Sequence, residues 1–303
     1  MSFTSKIRNE VSKIEITEIE KIAELSAIIA TSSQIGNTIK IITENASVAR
    51  RIFTLIKDLY QITPSIILRK GYNYQKNNLY IIQIKVKIDY ILSDLGLDKK
   101  LIPKSFITDD DETKRAYLRG VFLMSGSIND PKKSRYHLEF LTDNIDYAEY
   151  LKNILNDYNL NSKILKRENR YMIYIKEAEK IGDFLRIIGA YNAVMYYEDI
   201  RIYRDHKNMT NRLNNCEQAN VDRIIQTATN QVNDIELIIE KVGLDLLDEK
   251  EKIVAEYRLK YKDASLIELS EIITLETGKP ITKSGLYHRF KKISDLANKI
   301  KNR

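Results

Sequence analysis

The spacing of apolar residues changes several times along the chain, and each change marks an element. From Thr17 to about Ser32, apolar positions including Ile22, Leu25, Ile28 and Ile29 recur at helical steps, giving a helix with one buried face. The β-branched run NTIKIIT (37–43) reads as a strand, and Ser47 to Tyr60 as a helix. PSIILRK (64–70) and NLYIIQIKV (78–86) read as two strands joined by GYNYQKNN as a hairpin turn, and a helix near Tyr90–Leu97 closes the unit. The same order then returns. A helix covers Thr113 to about Gly126, a strand YHLEFLT (136–142), and a helix Ile145 to Tyr158. Strands SKILKRE (162–168) and RYMIYIK (170–176) meet across Asn169, and a helix follows over Glu177–Ile188. The chain therefore carries two α-β-α-β-β-α repeats in which Leu25 and Leu118 hold equivalent places. Between them, the acidic run Asp109–Glu112 reads as a solvated connector.

Beyond residue 205 the strand signal disappears. A polar stretch, DHKNMTNRLNNCEQAN (205–220), leads into a long helix in which Val221, Ile225, Ala228, Val232, Ile235, Ile239 and Val242 form an a/d seam. That seam either packs on its own chain or pairs with another, and Gly243 ends the helix. What remains is a small all-helical domain. One helix starts at Asp248 or Glu249 with Ile253, Val254, Tyr257 and Tyr261 inward, and a second runs Ser265–Thr274 with Leu266, Leu269 and Ile273 inward. ETGKPI (276–281) is a turn, and Thr282 caps a final helix reaching about Lys299. The pattern divides the chain into 1–108 and 109–204 (the two repeats), 205–246 (polar linker and long helix) and 247–303 (helical domain). The fold class is α+β followed by an all-α segment.

The last helix has two chemically different faces. Leu286, Phe290, Ile293 and Ala297 are spaced to face a core. Lys283, Ser284, Tyr287, His288 and Lys291 then point outward, with Arg289 and Lys292 on the flank. Preceded by a short amphipathic helix and a Gly-containing turn, the segment Ser265–Lys299 reads as a helix-turn-helix with a basic second helix. Such a helix fits the major groove of double-stranded DNA. Ser284, Tyr287 and His288 are candidates for base contact, while Arg289, Lys291 and Lys292 suit the phosphate backbone. The plainer reading is a solvated face on a helical cap.

Charge sharpens the choice. The 303 residues carry 49 Lys+Arg against 42 Asp+Glu, a mild +7, but residues 278–303 hold eight basic side chains against Asp295 alone. One cysteine, Cys216, excludes an internal disulfide framework and is expected to be a small buried residue. With His137, His206 and His288 widely separated, no zinc-site spacing appears. The absence of a signal-peptide or membrane-spanning pattern implies a cytoplasmic, nucleoid-associated protein. No Gly-rich phosphate loop or HExxH motif is present, and no cofactor is expected.

At the head of each repeat stands a small-residue helix, ELSAIIATSSQI (24–35) and YLRGVFLMSGSI (117–128). The second resembles the LAGLIDADG motif of homing endonucleases, whose paired helices pack through small residues. In that family an acidic residue just before the final glycine binds a divalent metal; the matching positions here are Ser32 and Ser125. A hydroxyl is a far weaker ligand than a carboxylate for a hard cation, so the chain is expected not to be an enzyme. Asp130 reads as a turn residue, and Asp143 and Asp146 as helix-start residues.

Taken together, AYLRGVFLMSGSINDP (116–131), NRLNNCEQAN (211–220) and ITKSGLYHRFKKISDLA (281–297) resemble the WhiA-type transcriptional regulators over essentially the full length. That resemblance implies a saddle-shaped degenerate LAGLIDADG-like domain and a helix-turn-helix similar to region 4 of sigma factors. It further implies promoter DNA as partner, with RNA polymerase holoenzyme or another regulator nearby, and genes of cell division, chromosome segregation or sporulation as targets. Two departures stand out: Ala27 and Ser33 where glycines would sit, and Leu286-Tyr287 in place of a smaller pair. The polar cluster Asn211, Arg212, Asn214, Asn215, Glu217 and Asn220 is either a loop satisfying backbone groups, a hinge surface or a nucleic-acid contact. Strand residues Arg69, Lys70, Lys85, Lys87, Lys163, Lys166, Arg167 and Lys176 offer a second backbone-contact surface or are ordinary solvent-facing positions. Competing functions are a nuclease with carboxylates from elsewhere, an RNA-binding splicing helper, and a scaffold using the Val221–Val242 seam.

Overall fold

The computed structural model describes residues 1–70, 78–97, 101–133 and 135–302, without the side chains of Ser32 and Ser33. The hairpin turn expected at GYNYQKNN falls on 71–77, outside the described residues. The chain forms two units, Met1–Arg204 and Asp205–Arg303.

The first unit opens with a helix that the pattern reading does not include, α1 (Phe3–Val11), which buries Phe3, Ile7 and Val11. The first repeat follows as α2 (Glu18–Ser32), β1 (Ser33–Ile35), β2 (Ile39–Thr43), α3 (Ala46–Tyr60), β3 (Ser65–Arg69), β4 (Leu79–Ile84) and α4 (Ile88–Asp94). The second runs α5 (Asp111–Ser125), β5 (Ser127–Ile128), β6 (Leu138–Thr142), α6 (Ile145–Asp157), β7 (Lys163–Arg167), β8 (Arg170–Ile175) and α7 (Ala178–Ile187). Each repeat thus gains a short strand straight after its first helix, and the order is α-β-β-α-β-β-α. The two antiparallel sheets have matching orders, β1-β2-β4-β3 and β5-β6-β8-β7.

Burial follows the alternation of the strands. Ile39, Ile41, Ile82 and Ile84 point into the core from the first sheet, and Leu138, Phe140, Ile173 and Ile175 from the second. Asn45 and Asn144 cap the helices behind the sheets, each accepting two backbone N–H bonds. The acidic run at 109–112 is a helix start rather than a connector. Asp110 is the N-cap of α5, and Asp111 and Glu112 lie in its first turn, where negative charge meets the positive end of the helix dipole.

The long helix α8 (Tyr191–Lys241) is continuous for 51 residues and begins in the first unit. Glu10 of α1 accepts from the N–H groups of Asn192 (2.7 Å) and Ala193 (3.1 Å), satisfying its first turn. Residues 205–220, read above as a polar stretch ahead of the helix, are helical throughout. Between Gly189 and Gly243 there is no Gly or Pro to break the helix, and every residue from 205 to 227 is exposed. Polarity there records solvent, not a loop. Cys216 is accordingly exposed rather than buried.

The second unit adds a 3-10 turn at Leu244–Leu246, α9 (Glu249–Lys260), α10 (Leu266–Thr277) and α11 (Lys283–Lys301). Its core joins Ile235 and Ile238 of α8 to Val254, Ala255, Leu269, Ile273, Leu286, Phe290, Ile293 and Ala297. Only the middle of the expected seam is buried. Ala228, Val232 and Ile235 are inside, while Val221, Ile225, Ile239 and Val242 are 42–49% exposed. A heptad line drifts by about 20° per repeat on a straight helix, so the buried line passes from Ile235 to Ile238.

Candidate nucleic-acid interface

Local chemistry fixes the helix-turn-helix. Ser265 caps α10 in a capping box with Glu268, and Gly278 ends it at φ 68°, a left-handed conformation that glycine adopts without strain. α10 therefore runs one turn's worth of residues past the expected Thr274. The turn is held by Thr274, whose hydroxyl donates to Ser270 O (2.7 Å) and accepts from Ile281 N (3.1 Å). Thr282 then caps α11, accepting from Gly285 N at 3.1 Å.

With Leu286, Phe290, Ile293 and Ala297 locked into the core, rotation of α11 is fixed. Lys283, Ser284, Tyr287, His288 and Lys291 all emerge on the solvent side, and Arg289 is partly buried on the flank. Tyr287 and His288 lie edge to face, ring centroids 5.8 Å apart. Lys292 differs from its neighbours: its ammonium sits 3.1 Å from Glu251 and 3.9 Å from Asp248, tying α11 to the start of α9. Of the Leu286-Tyr287 pair, the first is core and the second is on the surface.

The polar cluster of α8 does not form one surface. Asn211, Asn214 and Asn215 share a side at i, i+3 and i+4, whereas Asn220 points away, and Arg212 and Glu217 flank them; all are exposed. On the sheets, Arg69, Lys163 and Arg167 lie on the faces turned from the helices. They share those faces with two cross-strand apolar rows, Ile42–Ile81–Ile67 and Leu141–Met172–Leu165. Lys166 takes the other face, Lys176 lies 4.9 Å over the Tyr174 ring, and Lys87 precedes α4 at φ 54°. Lys70 and Lys85 are exposed outside the strands.

The paired helices α2 and α5 make the most extensive helix contact of the first unit. Gly120 allows it: a Cβ there would stand 2.4 Å from the Glu24 carbonyl oxygen and 2.8 Å from the Ala27 Cβ. Ala27 can therefore replace a glycine because its partner position has no side chain. Within the interface, fully buried Glu24 receives Arg51 Nε (2.8 Å) and Arg119 Nη1 (3.3 Å). Arg51 also donates to Ile14 O at 2.7 Å and Arg119 to Ile188 O at 3.1 Å. Nearby, Tyr147 bridges Tyr117 (3.1 Å) and Thr31 (3.0 Å). Burial pushes the Tyr117 and Tyr147 hydroxyls above their ordinary range, so they are neutral partners and not anionic ligands.

At Ser125, one of the two positions aligned in sequence with a metal ligand, the described donors do not fit a hard cation. The Ser125 hydroxyl turns back to Val121 O at 3.3 Å. Arg8 of α1, absent from the pattern reading, donates to Gly126 O (2.9 Å) and Met124 O (3.3 Å), placing a positive charge on the end of α5. The Ser32 side chain lies outside the described residues. Among the described residues no group of three or more His, Cys, Asp or Glu is arranged to hold a metal. Asp130 accepts from Lys132 N as a turn residue, Asp143 pairs with Arg170 at 3.0 Å, and Asp146 opens α6.

Comparison with known proteins bears on the family and the fold. Residues 18–98 match the WhiA N-terminal LAGLIDADG-like domain, 114–207 the WhiA LAGLIDADG-like domain, and 210–297 the WhiA C-terminal HTH domain. A probable cell division protein WhiA of Staphylococcus epidermidis is 44% identical over 100% of this chain and 98% of its own length. The chain belongs to the WhiA family. A WhiA of Staphylococcus aureus, also named a probable cell division protein, is 43% identical over the same shares. Among solved WhiA structures, full-length DUF199/WhiA from Thermatoga maritima superposes with a TM-score of 0.60, at 26% identity and 99% coverage of both chains. The isolated N-terminal LAGLIDADG domain of DUF199/WhiA gives 0.52 at 25% identity, covering 62% of this chain and 92% of that one. The WhiA HTH match contains all of α9 and α10 and most of α11, so the exposed cationic face belongs to the segment that the family describes as helix-turn-helix.

Proposed function

We propose that this chain is a non-enzymatic, sequence-specific regulator that binds double-stranded promoter DNA through α11 and acts on cell-division genes. The observation that carries the reading is the outward face of α11, with Lys283, Ser284, Tyr287, His288 and Lys291 exposed beside a fixed core face. Lys283 and Lys291 meet phosphates, Arg289 supports them from the flank, and Ser284, Tyr287 and His288 reach base edges. Lys292 serves first to hold α11 against α9. Asn211, Arg212, Asn214 and Asn215 are a secondary contact. The cell-division role follows the names of the relatives, and RNA polymerase holoenzyme is the partner at the promoter. Chromosome segregation and sporulation genes are further targets of the same reading, and the protein works in the cytoplasm at the nucleoid.

The nuclease alternative is disfavoured by chemistry: a serine hydroxyl bonded to its own helix and an arginine on the helix end do not bind Mg²⁺. The test is recovery of genomic duplex fragments by the full chain and by Lys283→Glu/Lys291→Glu. Selective recovery lost in the variant is the expected result, and plasmid incubated with Mg²⁺ stays intact. Equal, weak recovery by both proteins, or cleavage, overturns the proposal.

A further inference from the structure

We propose that β3 is a dimerisation edge, to which a second copy of this chain adds its own β3 in antiparallel pairing. The two four-stranded sheets then join into one of eight strands. β3 and β7 hold the same place in the two repeats, each at one end of its sheet, with no strand beyond it among the described residues. The DNA-binding reading of α11 uses neither edge.

The two edges treat their unpaired backbone differently. A free edge presents N–H and C=O groups that another strand can take, and natural sheets guard against this with charge. β7 is guarded in this way: Lys163, Lys166 and Arg167 make up most of it, and all three are exposed. β3 reads Ser-Ile-Ile-Leu-Arg and is exposed throughout. Its Ile66, Ile67 and Leu68 are 46%, 43% and 50% exposed. Three consecutive apolar side chains put apolar surface on both faces of the strand, as in a strand with neighbours on each side.

The pattern of β3 fits itself. Antiparallel pairing about Ile67 sets Ile67 opposite its own mate, Ile66 opposite Leu68, and Ser65 opposite Arg69. Just outside the strand, Lys70 falls opposite Pro64, so no like charges meet. Directly opposed residues share a face. The row Ile42–Ile81–Ile67 therefore runs on across the two-fold axis into the same row of the second copy. On the other face Ile66 and Leu68 cover each other twice. The same operation on β7 sets Lys163 against Arg167 on both sides of the axis, a repulsive pairing. This contrast selects β3. It also selects a second copy as the occupant, because an isologous contact requires one patch to be complementary to itself.

The test is sedimentation equilibrium of the full chain and of its Ile67→Lys and Ile67→Glu variants. The full chain should pass from monomer to dimer between about 1 and 100 μM. Each variant alone sets like charges face to face on the axis and should be monomeric over that range, while its far-UV circular dichroism stays that of the parent. An equimolar mixture of the two variants sets opposite charges there and should restore the dimer. Leu165→Lys, the matching change on β7, should leave dimerisation unaltered. A full chain still monomeric at about 100 μM, which would leave the edge to a strand of another protein, overturns the proposal. So do variants that dimerise as the parent does, or a mixture that stays monomeric.

Discussion

The ends of α5 and the face of α11 treat positive charge in opposite ways. Around α2 and α5 three arginines are spent within the first unit: Arg51 and Arg119 on Glu24 and backbone carbonyls, Arg8 on the end of α5. On α11 the cations at 283 and 291 stand in water above a core built from the other face of the same helix. The first arrangement is met by groups of the same unit and holds two repeats together. The second leaves its cations to solvent. The first unit matches the WhiA LAGLIDADG-like domains and the second contains α9–α11 of the WhiA HTH match, so under the proposed function the difference sets structure at the α2–α5 seam apart from recognition at α11.

Breaking this contrast should separate folding from binding. Removing Glu24 leaves Arg51 without its carboxylate partner and buried Arg119 with only Glu20 at 4.0 Å. Glu24→Ala should cost about 3–5 kcal/mol, measured by urea unfolding followed by a probe in the first unit. Gly120→Ala should cost about 1–3 kcal/mol, because the new methyl stands 2.4 Å from a backbone oxygen that cannot move freely. Neither change touches the exposed face of α11. At the other end, Thr282→Ala removes the Gly285 cap and should cost about 1 kcal/mol, read as a lower melting midpoint of the second unit. Should Thr282→Ala instead destabilise as much as Glu24→Ala, the two regions would not differ in kind.

Much of this division was legible in the sequence because a single helix displays it. The four-three-four spacing of Leu286, Phe290, Ile293 and Ala297 fixes which residues of α11 face outward, and the repeat of strands gives both sheets. What periodicity does not show is pairing across distance. Arg8 meets Gly126 across more than a hundred residues, and Glu24 meets Arg119 across ninety-five. Neither partner looks unusual in its own segment. α1 was readable in principle from Phe3, Ile7 and Val11, but a nine-residue helix near a terminus gives a weak signal. β1 and β5, with three and two residues, are too short to alternate. Residues 205–220 mislead for a different reason: composition reports exposure, and an exposed helix is as polar as a loop.

The most direct test of the account is the salt dependence of affinity for one selected duplex, compared between the full chain and Lys283→Glu/Lys291→Glu. If both lysines bind phosphate, the slope of log K against log salt should fall in magnitude by about 2 in the variant, with affinity lower at every salt concentration. Thermal stability should be unchanged, since both side chains are exposed. An unchanged slope and affinity would contradict the central claim and move the nucleic-acid surface away from α11.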